Sequence, residues 1–158
     1  MRIMLVVILL ALPSILSAQT FTGCVDFRGI PVATVLEPQL NDAAFATIAP
    51  NGAPIILINP AAVSRLSPLA QQWLYFHECG HHALGHAVRN IPLAQEQEAD
   101  CFGIITLVQQ GATQSMVRQV QWELAHLGPG DRTHLPGPAR AINLPYCLAA
   151  AGIAPPPG

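Results

Sequence analysis

His77, Glu78 and His81 spell His-Glu-x-x-His, and fifteen residues after His81 stands Glu96, followed by Ala99-Asp100. Histidines at i and i+4 leave one face of a helix about one turn apart. Their neutral rings can share one Zn2+ at ~2.0–2.1 Å. Glu78 lies about 100° further round the helix, off the metal but close to a water that zinc acidifies towards a pKa of ~7. A general base belongs there, taking the water's proton and passing it to a leaving group. The third ligand has to come from a second element. Glu96 is the candidate, because Asp100 then falls at i+4 on the same face and can accept a ligand imidazole's N–H, fixing its tautomer. Metal-assisted hydrolysis calls for these residue types at these spacings.

The neighbouring polar residues fit this site less well. Glu98 is two positions from Glu96, faces away, and reads as a solvated carboxylate. His82 points elsewhere than His81 and reads as a surface or hydrogen-bonded histidine. His86 could cap the helix end or line the cleft, with a structural role favoured. His126 sits near a helix C-terminus, where a cation is favourable. A three-histidine site of the His-Glu-x-x-His-x-x-Gly-x-x-His kind needs glycine at 84 and histidine at 87. Leu84 and Ala87 stand there, with Gly85 and His86 each one residue out of register.

With Glu96-x-x-Ala99-Asp100, the His77–His81 motif resembles the gluzincins, zinc peptidases with two histidine ligands and one glutamate. The Glu-x-x-Ala-Asp block and the later Thr133-His134-Leu135-Pro136-Gly137-Pro138-Ala139-Arg140 are similar to the branch holding heat-shock membrane proteases, CAAX prenyl endopeptidases and their small periplasmic relatives. The resemblance spans roughly residues 53–147. It implies an exported zinc endopeptidase acting on a protein or peptide, with His77, His81 and Glu96 as ligands, Glu78 as base and Asp100 behind a ligand. His134 would approach the metal and steady the oxyanion of the tetrahedral intermediate, or else be a loop histidine with structural hydrogen bonds. Arg140 would pair with a carboxylate near the site. The edge strand that holds an extended substrate is assigned to Pro54–Ile58. In so short a chain the cleft could need a partner protein to complete it. The competing reading is a non-hydrolytic zinc-binding periplasmic module, against which Glu78 argues, since metal binding alone does not require it.

The elements that must position these residues are bounded by composition. The 158 residues contain no lysine and carry a net charge of −2. No basic patch points to nucleic acid. Four of the nine acidic residues fall at 78, 96, 98 and 100, and four of the six histidines between 77 and 86, so ionisable groups concentrate around one site. Arg2, an apolar run over Ile3–Leu12 and a small residue at Ala18 read as a signal peptide over 1–18. Residues 19–151 then form one zinc-peptidase domain without a membrane span, periplasmic or secreted, and 152–158 a disordered tail. Four cysteines fit two disulfides in an oxidising compartment. Three pairings are possible, with Cys79–Cys101 and Cys24–Cys147 favoured because the metal draws the two ligand helices together. Cysteines 79 and 101 as metal ligands are the rival reading.

β-prone runs at 31–37, 44–49 and 54–58, with Asn51-Gly52 as a hairpin turn, predict a small antiparallel sheet. Ser67-Pro68 opens a helix to about 84, with Gly85 near its end. Ile91-Pro92 opens a second over about 93–110, closed by Gly111. Thr113 caps a third to about 127, and 138–151 forms a last helix interrupted at Pro145. A sheet followed by helices is α+β, the order of a minimal zincin.

Overall fold

The computed structural model describes residues 23–88, 93–130 and 134–158. The expected signal peptide, the Ile91-Pro92 helix start and Thr133 lie outside these residues. Among the described residues, three strands precede five helices: β1 (Ala33–Leu36), β2 (Ala44–Ile48), β3 (Pro54–Ile58), α1 (Pro60–Val63), α2 (Pro68–Ala83), α3 (Leu93–Gln109), α4 (Gln114–Ala125) and α5 (Gly137–Ala150), with a 3₁₀ turn over His86–Val88. This is the α+β order. Short α1 was not foreseen; Asn59 at the end of β3 also caps it, its side chain accepting from Ala61 and Ala62.

The sheet differs from the expectation in two ways. Its order is β1-β3-β2, and β3 runs antiparallel to β2 but parallel to β1, so the sheet is mixed. Pro54–Ile58 is therefore the central strand and cannot be the substrate edge. The burial pattern explains the order. Pro-Ile-Ile-Leu-Ile is the most apolar strand and its Ile56 is fully buried, whereas all four residues of β1 are exposed. The strand with most to bury takes the centre, and β2 is left as the edge nearest the helices.

α2 starts where the sequence places it, with the Ser67 hydroxyl accepting from Ala70 N–H. It ends at Gly85, whose φ of +76° favours glycine. Two further glycines set its distance from α3. A Cβ on Gly103 would stand 3.2 Å from His77 N and 3.3 Å from Trp73 O, and one on Gly80 would stand 3.0 Å from the Phe102 Cβ. The backbones cross closely only because both positions lack a side chain, and that crossing sets the Glu96–Asp100 turn against the histidines.

The far side of α3 packs on α5, which continues through Pro145. A proline frees the carbonyl four residues earlier. Here that is Ala141 O, and Gln121 Nε2 on α4 donates to it at 3.1 Å, so the expected interruption does not occur. The C-terminal residues are not a free tail either. Ile153 packs on the core, and Pro156 O accepts from Gln114 N at 2.8 Å, one of the N–H groups left over at the start of α4.

The disulfides are Cys24–Cys79 and Cys101–Cys147, not the favoured pairing. The glycines at 80 and 103 let the axes of α2 and α3 come together, but Cys79 lies two residues round from His77 and turns away from the crossing. It meets the N-terminal segment, which also docks through Phe27 N donating to His82 O at 3.0 Å. Cys101 in turn faces α5. Each ligand helix is thus tied to an end of the described chain, and no cysteine is left to bind metal. Among the described residues, no helix is long and apolar enough to cross a membrane.

Candidate metal centre

The α2–α3 crossing brings three donor groups to one corner. His77 Nε2 and His81 Nε2 lie 3.1 Å apart, His81 Nε2 is 3.3 Å from Glu96 Oε1, and His77 Nε2 is 3.5 Å from Glu96 Oε2. All three residues are buried. Atoms bound to a tetrahedral zinc at ~2.0–2.1 Å are separated by roughly 3.3 Å, so the triangle has the size of one face of the ligand tetrahedron around a small ion. Glu96 Oε2 is moreover a buried oxygen without a hydrogen-bond donor among the described residues. A buried carboxylate oxygen in that state needs a positive charge beside it, which a protonated His77 or a bound cation can supply. The donor set of two imidazoles and a carboxylate is one that zinc accepts.

Behind His77 the structure is closed. Its Nδ1 donates to Asp100 Oδ1 at 2.8 Å, leaving Nε2 to face the corner. Asp100 is held by Arg140, whose Nη2 reaches Oδ1 at 2.7 Å and whose Nε lies 3.1 Å from both carboxylate oxygens. The Arg140 guanidinium stacks 5.0 Å from the Trp73 ring centre. Burial and the Arg140 charge both oppose a proton on His77, but Asp100 and Glu96 outweigh them and raise its pKa to about 9. Burial opposes charge on Glu96 and Asp100 too. The His77 and His81 imidazoles nonetheless hold Glu96 well below the usual carboxylate range, and His77 with Arg140 holds Asp100 down.

Behind His81 a different group stands. His81 Nδ1 lies 3.2 Å from His86 Nδ1, and His86 Nε2 lies 3.0 Å from Glu98 Oε2. Burial and the adjacent His81 push the His86 pKa down. His82, expected away from the site, is buried and joins α2 to β3 through its Nε2 and Ile55 O at 2.8 Å.

Glu78 faces the corner from the strand side. Ala46 N on β2 donates to Glu78 Oε2 at 2.7 Å, leaving Oε1 4.0 Å from His77 Nε2. The register explains the contact. Asn59 N donates to Ala43 O and Ala49 N to Ala53 O, so 43, 45, 47 and 49 bond to β3, and Ala44, Ala46 and Ile48 turn their backbone groups to the free edge. Glu78, His134 and Arg140 line a cleft of about 450 Å³, with Leu66, Leu74, Leu127 and Leu135 among its apolar walls. His134 lies across from Glu78: its Nδ1 is 3.3 Å from Asp42 Oδ2 and its Nε2 is 3.9 Å from Glu96 Oε2. With His77 and Glu96 it forms a group whose possible ligand atoms all lie within 4.8 Å of one another.

The structure thus gathers His77, Glu78, His81, Glu96, Asp100 and His134, together with Arg140. Glu98 stays largely exposed, and His126 closes α4 with Nδ1 2.6 Å from Trp122 O, as expected of a helix-end histidine. Two participants, Ala46 and Asp42, were not read from the sequence, and a third, His86, was read only as a helix cap or cleft residue. Ala46 contributes only a backbone N–H, which no residue type signals. Asp42 meets His134 across ninety-odd residues, with no periodicity to announce it. His86 carried a signal in its place one residue beyond a helix-ending glycine, where the chain turns back under His81. No family model, curated protein or solved structure matches the chain.

Proposed function

We propose that this chain is an exported zinc-dependent endopeptidase of gluzincin type. The observation that carries the reading is the triangle of His77, His81 and Glu96 donor atoms at 3.1–3.5 Å, with the Glu78 carboxylate beside it at the wall of a cleft. Zinc held there would polarise a peptide carbonyl and acidify a water. Glu78 does the proton work. Ala46 N–H fixes one of its oxygens, and the other faces the corner, placed to take a proton from water and return it to the leaving amine. Asp100 keeps the ligand nitrogen of His77 turned inward. His134 stands across the cleft as a donor to the charge that develops on the carbonyl oxygen. A peptide substrate would lie in the cleft, with an aliphatic side chain among Leu66, Leu74, Leu127 and Leu135. The two disulfides fit export to an oxidising compartment.

One observation favours a second reading, a non-hydrolytic zinc module. His134 belongs to the group able to share an ion with His77 and Glu96, and a fourth protein ligand closes a zinc site as structural sites are closed.

The test joins metal analysis to cleavage of a peptide library. One zinc per chain is expected, lost in His81→Ala. Glu78→Gln should keep the metal and lose ~10²–10⁴-fold in rate. A native chain that binds zinc and cuts nothing supports the closed module instead, and a native chain that takes up no zinc removes both readings.

A further inference from the structure

The two proposed histidine ligands are turned by different means, and the second means assigns work to residues outside the metal corner. Gly85, at φ +76°, ends α2 and turns the chain so that His86 comes back under His81. The two rings meet through like nitrogens, Nδ1 to Nδ1 at 3.2 Å, on the side of His81 opposite the Nε2 that faces His77 and Glu96. His86 is buried, and its other nitrogen lies 3.0 Å from Glu98, a carboxylate 62% exposed.

With a cation in the corner, so that Glu96 takes no proton from His81 Nε2, proton counting gives the direction of this chain. Two ring nitrogens share a hydrogen bond only when one of them carries the proton. An ionised carboxylate can only accept, so Glu98 takes a hydrogen bond from His86 Nε2–H. A neutral His86 then has a bare Nδ1, which accepts. The His81 Nδ1 is therefore the donor, and its Nε2 is left with a lone pair aimed at the corner. A surface carboxylate thereby sets, two steps inward, where the proton sits on a buried ring.

We infer that His86, oriented by Glu98, is a positioning residue that holds His81 in the tautomer offering Nε2 to a metal ion. The inference rests on the proposed role of His81 as a ligand. It gives His86 the task that Asp100 performs for His77, but with a neutral acceptor in place of a charged one. It also accounts for a histidine one residue out of register for a third direct ligand: its nitrogen meets the back of His81, not the metal corner.

The test measures zinc affinity of the full chain by competition with a chromophoric chelator, with the Co2+-loaded absorption spectrum as a second readout. Loss of such an outer partner costs about 10–100-fold in metal affinity, and His86→Ala should fall in that range with a shifted cobalt spectrum. His86→Asn keeps an acceptor near the Nδ1 position and should recover affinity to within about threefold of native. Glu98→Lys replaces the acceptor by a donor. It would put the proton on His86 Nδ1 and drive His81 to the wrong tautomer, so a loss of at least about tenfold is expected. Gln97→Lys adds a cation on the same exposed turn without replacing the partner of His86, and should change affinity by no more than about twofold. Unchanged affinity in both His86→Ala and Glu98→Lys would overturn the inference, as would equal losses in His86→Ala and His86→Asn, which would mean packing alone. Those outcomes leave native zinc binding intact. A native chain that binds no zinc removes the metal site itself, and the inference with it.

Discussion

His77 and His81 stand one turn apart on the same helix, yet the two sides of the centre are built differently. Behind His77 the partners are buried and sit on helices: Asp100 on α3, Arg140 on α5 and Trp73 on α2 itself. The charges there are paired by short contacts, with His77 to Asp100 at 2.8 Å and Arg140 to Asp100 at 2.7 Å. On the other side His86, His134 and Asp42 come from a turn and loops, and the carboxylates that support the histidines, Asp42 and, on the outer face of α3, Glu98, reach solvent. Glu98 and Asp42 have side chains 62% and 39% exposed. A buried, fully paired network fails badly when one member is lost, whereas an exposed pair yields little when broken. The helical wall is therefore the frame, and the loop wall is where adjustment is cheap.

The sharpest way to break this comparison is to remove Arg140. Arg140→Met keeps much of the volume but leaves the buried Asp100 charge without its arginine, with His77 alone to balance it. Loss of about 3–5 kcal/mol in urea unfolding is expected. Changing Asp100 to Asn in the same chain should restore part of that, because the uncompensated charge is then gone. A single-variant loss below about 1 kcal/mol would mean that the helical wall is no stiffer than the loops.

The same wall predicts how the metal-free protein responds to pH. The His77 pKa rises from 6.5 to about 9 in the folded chain. A group whose pKa is raised on folding stabilises fully below its unfolded value, so this contribution is present below pH 6.5 and fades as pH climbs through about 9. Zinc-free protein should then unfold more easily at pH 9 than at pH 6. Zinc binding requires the same proton to leave, so zinc affinity should rise over that interval. Urea midpoints at several pH values, with and without zinc, check both signs. A flat metal-free profile between 6 and 9 would show that Asp100 and Glu96 do not hold a proton on His77.

The contrast between the walls is also a contrast in what the sequence makes legible. α2 and α3 announce themselves through Ser67-Pro68, Gly85, Gly111 and spacings of four, because a helix converts sequence distance into a face. That rule pairs His77 with His81 and Glu96 with Asp100, and the two pairs are joined by the metal chemistry that the motif implies. Strand order could not, since β1 and β2 compete for β3 by burial and not by any local signal. The disulfides were misread because closeness of two helices says nothing about which way Cys79 and Cys101 point. Pro145 was misread because its remedy, Gln121, sits on another helix. Asp42 and Ala46 were invisible for the same reason: their contacts to His134 and Glu78 exist only after the loops and the sheet edge have been placed.

Asp42 carries the smallest effect and the finest test of the two-wall description. His134→Ala removes the proposed donor, and donors of this kind are worth about 10²–10³-fold in kcat, with zinc retained. Asp42 only holds His134 from behind, at 3.3 Å and in contact with water. Asp42→Asn keeps the size and an acceptor oxygen while removing the charge. An exposed pair contributes ~0.2–1 kcal/mol, so kcat should fall by about two- to fivefold, with zinc affinity and unfolding unchanged. The expected order is a large loss for the donor and a small one for its support, the reverse of the buried side, where the support Arg140 dominates stability. If Asp42→Asn lowers kcat as far as His134→Ala, the loop wall is as tightly coupled as the helical one. If His134→Ala instead raises the rate, His134 is a fourth ligand that closes the site, and Asp42 is the hand that holds the lid shut.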